Sequence, residues 1–149
     1  MADIFELYSK VGKAFGPSGR EDAARQPIEA LGKPYVDEVW TDTLGNLILR
    51  KRGRGKKIML CAHMDTVAPW QGKRAVREAD GTIHSAGDTV LGADDLAAVA
   101  VILEVLTALR ESGASHRPIE VLFSVSEETY CEGAAVFDFS RVQACYFFM

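Results

Sequence analysis

Two continuous apolar runs enclose one long apolar stretch, and no other feature restricts the fold as much. "KKIMLCAH" (56–63) and "PIEVLFSVS" (118–126) lack the strict alternation of a half-exposed strand. Short runs of this kind belong to strands covered on both faces. Between them, from Leu96 to Leu109, only Glu104 and Thr107 are polar. That composition describes a deeply buried helix. Strand, helix, strand in this order implies an α/β sheet with helices on both faces.

The other segments fit around that unit. Ile4, Phe5, Leu7, Tyr8 and Val11 stand at helical spacing within 3–14, and "GPSG" (16–19) stops that helix. A second helix over about 20–31 carries Ala23, Ala24, Ile28 and Leu31. "YVDEVWTDTLGNLILRKRG" reads as two strands around a turn at Gly45-Asn46. "RAVREADGTIHSAG" reads as a hairpin turning at Asp80-Gly81. A short helix is expected near 132–140, and the closing "QACYFFM" reads as a buried strand. With 149 residues, 48% of them hydrophobic, the chain has the length of one domain and material for a real core.

Charge and cysteine usage exclude several partners. The net charge of −4 argues against nucleic acid, which needs a concentrated basic surface. The one basic cluster, Arg50–Lys57 ("RKRGRGKK"), holds glycines and lies between strand-like runs, as a solvated hairpin turn would. No stretch is long and apolar enough to span a membrane, and the N-terminus lacks a signal-peptide core. Three cysteines without a CxxC make no disulfide framework, which points to the reducing cytoplasm.

The polar residues gather at the ends of the core elements. His63 and Asp65 follow the first apolar strand, Asp94-Asp95 precede the buried helix, and Glu127-Glu128 follow the second strand. Singly, each has an ordinary reading: a polar strand end, a helix cap at the positive end of the dipole, a solvated strand exit. Ligands of open parallel sheets bind outside the carboxyl ends of the strands, and all three groups are delivered to that edge. Five carboxylates and one imidazole brought together repel unless something positive joins them. A divalent metal is the economical answer, and a His/Asp/Glu set suits zinc. A two-metal site needs a carboxylate bridging ions about 3.5–4 Å apart, a ligand on each ion, and an unligated carboxylate to take a proton from water. Adjacent glutamates supply the last two roles, and an H-x-D pair adds a carboxylate that orients the imidazole.

"AHMDTV", "GDTVLGADDLAAVA" and "SVSEETYCEGA" together resemble the metal motifs of the co-catalytic di-zinc exopeptidases, in particular the peptidase T-like branch. "DTLGNLI" (42–48) is similar to the strand that precedes the first motif in that family. The resemblance covers nearly the whole chain. It implies a three-layer α/β/α catalytic domain with a mixed, largely parallel sheet. It implies that His63 binds one zinc, oriented by Asp65, that Asp94 bridges both, and that Glu128 binds the second. It makes Glu127 the general base, with cobalt or manganese able to replace zinc. The reaction implied is removal of N-terminal residues from short peptides. A related deacylase or carboxypeptidase and a non-catalytic interaction module are the alternatives.

Two departures from the family pattern stand out. Leu96 follows the paired aspartates where the family usually has lysine. The family also supplies a further acidic ligand to the first zinc, a distant histidine to the second, and a lid or dimerisation domain. His84 and His116 match neither ligand and read as surface residues. The resemblance therefore implies that 1–149 is the N-terminal part of such a catalytic domain, weak or inactive alone. Self-association through the C-terminal strand or the Trp70–Val76 side is the further expectation.

Overall fold

A computed structural model describes residues 3–149. Helix α1 (Ile4–Gly12) is capped by Asp3, whose carboxylate accepts the Phe5 N–H at 2.9 Å. Helix α2 spans Asp22–Gly32. Strands β1 (Glu38–Thr41) and β2 (Leu47–Lys51) form the hairpin expected around Gly45-Asn46. Strand β3 (Ile58–His63) is the first apolar run. Strands β4 (Ala75–Arg77) and β5 (Ile83–Ser85) make a separate two-stranded sheet, turning at the expected place. Helix α3 covers Ala93–Ser112, and strand β6 (Ile119–Ser124) is the second apolar run. Helix α4 (Glu132–Ala135), a 3-10 turn (Phe139–Arg141) and strand β7 (Tyr146–Phe148) complete the described chain.

The main sheet has the order β1-β2-β6-β3-β7. Its β1–β2 and β2–β6 pairs are antiparallel, and its β6–β3 and β3–β7 pairs are parallel. The α3 crossover makes β3 and β6 parallel neighbours, with His63 in register with Ser124. Helices α1, α2 and α3 cover one face. Val11, Ile28, Leu103 and Leu106 pack there with Leu47, Leu49, Val121 and Phe123. Ile48, Met59 and Leu122 line the opposite face beneath Phe137 and the half-buried Trp40. Full burial of each large side chain contributes on the order of 1.5–3 kcal/mol.

Four expectations are corrected. The Arg50–Lys57 cluster is not a hairpin turn, because β6 lies between β2 and β3 and the segment connects strands that do not pair. Nor is it wholly solvated: Lys51 is buried, donating to the Tyr35 carbonyl at 2.8 Å, and Arg50 lies over the Trp40 ring. Helix α3 is not buried all round, since Val101 and Val105 are exposed on the face turned away from the sheet. The helix expected over 132–140 is one short turn, because Asp138 accepts the Ser140 N–H and caps a separate 3-10 turn instead. The last strand is exposed along its whole length. It pairs with β3 alone among the described residues, so only one of its edges is covered.

Candidate metal centre

The parallel pairing of β3 and β6 brings two strand exits to the same end of the sheet, and with them His63, Asp65, Glu127 and Glu128. Beyond His63 the chain passes through Met64 to Asp65, which is completely buried. Beyond β6 it passes through Ser126 to Glu127 and Glu128. Asp65 ties the two exits together. Its Oδ1 accepts the Glu127 N–H at 3.0 Å, and its Oδ2 accepts the Glu128 N–H at 3.1 Å and the Ser18 hydroxyl at 2.7 Å.

The third element arrives through glycine. Gly92 has φ +76, a left-handed conformation glycine adopts without penalty, and it stands just before α3. Asp94 and Asp95 keep non-helical backbone angles within that first turn, so the regular helix begins after them. Asp95 turns inward and accepts the His63 N–H at 3.3 Å. Asp94 projects the other way, its side chain 88% exposed and its Oδ1 3.1 Å from His63 Nε2.

His63 is the centre of the cluster. Its Nδ1 lies 3.0 Å from the backbone carbonyl of Asp65 and 3.4 Å from that residue's Oδ1. A carbonyl can only accept, so Nδ1 carries the proton and donates it there. In the neutral ring this leaves Nε2 as a free lone pair facing Asp94 Oδ1 and Glu127 Oε2, the latter 3.6 Å away. One ligand atom each from His63, Asp94 and Glu128 can lie within 4.8 Å of the other two.

The electrostatics suit a cation. Burial would lower the pKa of His63, but the Asp65 hydrogen bond and charge, with Asp94 and Glu127, push it up to about 9. Burial would raise the pKa of Asp65, but the hydrogen bonds of His63, Ser18, Glu127 and Glu128 hold it down to about 2. Burial pushes the carboxyls of Asp95 and Glu128 up from their ordinary values, and the Asp94 charge adds to this at both. Among the described residues no lysine or arginine forms an ion pair with Asp94, Glu127 or Glu128. An imidazole nitrogen that a metal can take by displacing its proton, beside carboxylates compensated by no lysine or arginine, is a donor set that fits a divalent metal.

All five residues singled out from the sequence therefore meet at one place. His84 and His116 lie elsewhere, His84 exposed and paired with Glu78 at 2.6 Å, His116 half-buried. Sequence reasoning missed the supports. Ser18 comes from "GPSG", which the sequence marks only as a helix stop, Glu21 falls within the helix expected over about 20–31, and Asn46 reads only as a turn residue. The buried Asn46 accepts the Val125 N–H at 3.0 Å and donates to the Gly133 carbonyl at 2.9 Å. Gly133 sits so close that a Cβ there would lie 2.2 Å from the Val125 oxygen. The buried Lys73 was also missed: it donates to Thr66 Oγ1 at 3.0 Å, just past Asp65. The signal available for Ser18 and Glu21 is a hydroxyl that can donate and a carboxylate that can accept, on either side of Gly19.

The sequence model described as "Peptidase family M20/M25/M40" matches residues 59–145. The chain is 38% identical over 104 residues to the "Uncharacterized protein YqjE" of Bacillus subtilis (strain 168), covering 68% of this chain and 28% of that protein. Its fold matches that of a tripeptidase from Staphylococcus aureus subsp. aureus Mu50 with a TM-score of 0.91 and 26% identity. It matches the aminopeptidase PepT of Bacillus cereus ATCC 10987 with the same TM-score and 28% identity. Both alignments cover 97% of this chain and 41% of the other.

Proposed function

The chain belongs to peptidase family M20/M25/M40, and from that premise we propose that it forms the part of a metallo-exopeptidase catalytic domain that holds two divalent ions. The proposed reaction is removal of N-terminal residues from short peptides, with zinc the favoured ion and cobalt or manganese able to replace it. The observation that carries the reading is the convergence of His63 Nε2, Asp94 and Glu128 at one end of the sheet, ligand atoms within 4.8 Å of one another.

Asp94, exposed and projecting between the two strand exits, would serve both ions, His63 one and Glu128 the other. When bound, such a pair polarises the scissile carbonyl and acidifies water. The chain's own residues do the rest. Asp65 holds the His63 imidazole with Nδ1 protonated and Nε2 outward. It also fixes the backbone from which Glu127 and Glu128 project. Glu127 Oε2 lies 3.6 Å from His63 Nε2, close to where a water would attack. As that water bonds to the carbonyl carbon, Glu127 takes its proton and returns it to the amine nitrogen as the C–N bond breaks. The nearly half-exposed Glu127 side chain leaves room for this exchange.

Among the described residues no helix is long and apolar enough to cross a membrane. Three free cysteines, none paired, support a cytoplasmic setting.

Isothermal titration of zinc into the wild type and into Asp94→Ala tests the reading. We expect binding in the first and its loss or severe weakening in the second. Equal binding would remove Asp94, and with it the shared site.

A further inference from the structure

We propose that the loop of residues 16–21 is a brace across the two strand exits, with Glu21 as the positioning residue that fixes the direction in which Glu127 and Glu128 leave β6. In taking the braced residues as a metal and base pair, this rests on the function proposed above.

Glu21 is 5% exposed, an unusual place for a carboxylate with no cationic partner among the described residues. One of its oxygens does all the bonding. Oε1 accepts the Gly19 N–H at 2.8 Å, the Ser126 N–H at 2.8 Å and, more weakly, the Ser126 hydroxyl at 3.4 Å. Ser126 has φ +54, a left-handed conformation that a non-glycine residue adopts only when its surroundings require it. It is the residue immediately before Glu127. The bond from Glu21 therefore falls on the bend that aims the glutamate pair.

The same loop grips the other exit. The Gly16 carbonyl accepts the Thr66 N–H at 3.0 Å, and the Ser18 hydroxyl donates to Asp65 Oδ2. Gly16 is packed against Ala24, where a Cβ would come within 2.7 Å, so α2 backs the loop from behind. Three consecutive contacts thus reach Thr66, Asp65 and Ser126, one residue or none away from each side of the cluster. Glu21 touches none of the candidate ligand atoms. Its part is to hold a backbone that would otherwise relax toward negative φ and carry both glutamates with it.

Amide hydrogen exchange on the full chain, without metal, reads this directly. In Glu21→Ala we expect the Ser126, Glu127 and Glu128 amides to exchange about tenfold faster or more, with the Leu122 amide in β6 unchanged. Glu21→Gln keeps an oxygen at the same place and should restore wild-type protection. Unchanged exchange in Glu21→Ala, or a Glu21→Gln variant no better than Glu21→Ala, would overturn the brace. Should Glu21→Ala fail to fold, Glu21→Asp, which keeps the charge but withdraws the oxygen, is read in the same way. Zinc titration supplies the second readout, with Glu21→Ala expected to weaken binding about 10- to 100-fold and Glu21→Gln to retain it. Zinc binding that needs Asp94 but ignores Glu21 would sink the brace and spare the metal reading. No zinc binding by the wild type would sink the metal reading and leave the exchange data to decide the brace.

Discussion

Asp65 Oδ1 accepts the backbone N–H of Glu127 at 3.0 Å, joining the exit of one buried strand to the exit of its parallel neighbour. A side chain that can only accept is thus placed among four donors: two backbone amides, the Ser18 hydroxyl and the His63 ring. These bonds hold its pKa down to about 2 against the effect of burial. A carboxyl with a depressed folded pKa contributes stability above its unfolded value near 3.8, and loses it as pH falls through the folded one. We expect the metal-free chain to lose on the order of 2 kcal/mol between about pH 4 and pH 2 from this residue. Asp65→Asn should lower urea stability at pH 7 by a similar amount and flatten that acid limb. An acid limb unchanged in Asp65→Asn would refute the assignment.

Metal affinity should rise steeply with pH. The metal-free His63 is protonated up to about pH 9, because its carboxylate neighbours outweigh the effect of burial. A metal must displace that proton. Zinc or cobalt affinity should therefore gain about tenfold per pH unit below that value, with close to one proton released near neutral pH. Titration in buffers of different ionisation enthalpy counts the protons, and a pH-independent affinity would contradict the ring's placement.

Lys73 gives a stability signature of opposite sense. It is 4% exposed, has a single hydroxyl partner among the described residues, and burial pushes its pKa down to about 8. Its unfolded value of 10.5 is higher, so between about pH 8 and 10.5 the unfolded chain binds more protons and stability rises with pH. Lys73→Met should raise Tm at pH 7 and remove that alkaline gain. Thermal melts at pH 7 and pH 10 distinguish the two behaviours.

The 149-residue chain alone, supplied with zinc or cobalt, should show no appreciable turnover of di- or tripeptides. On the reading proposed above, His63, Asp94 and Glu128 would give each ion of a pair two protein ligands, and firmly held zinc has at least three. Errors near 1 Å in such a site cost about a hundredfold in rate. Turnover that Glu127→Gln abolishes would show that these residues suffice.

Association should concentrate on β7. Tyr146, Phe147 and Phe148 are 45%, 51% and 58% exposed on a strand paired along one edge only. Exposed apolar edges of this kind recruit further strands. Phe147→Lys with Phe148→Lys should shift light scattering toward monomer, and a wild type that stays monomeric across a wide concentration range would count against this.

The parts of the fold that the sequence discloses are those whose residues face one environment along their whole length. Strands β3 and β6 are apolar on both sides, so their unbroken runs are diagnostic, and the acidic pairs at their ends follow directly. What the sequence conceals depends on partners far along the chain. Arg50–Lys57 looks like a turn because nothing local says that β6 will enter between β2 and β3. "YFFM" looks buried because four aromatic or apolar residues carry no mark of a strand left at an edge. Ser18 and Asn46 look like loop punctuation and Glu21 like an ordinary helical residue, and their duty appears only when residues 65 and 125–128 arrive beside them. The grouping of His63, Asp65, Asp94, Glu127 and Glu128 at one end of the sheet is legible because each follows or precedes an apolar core element, whereas a brace can be built from many residue types.

The register of Ile58 with Ile119 through His63 with Ser124 couples two segments separated by all of α3. Such a pairing closes a long loop before any contact rewards it, so it forms slowly compared with the β1–β2 hairpin. The two halves of the cluster therefore do not exist as neighbours until that ladder has zipped. Cobalt added during refolding would take on its bound-state spectrum only after this step. Its colour would serve as a clock for the moment at which the chain acquires a topology, well after it has acquired helices.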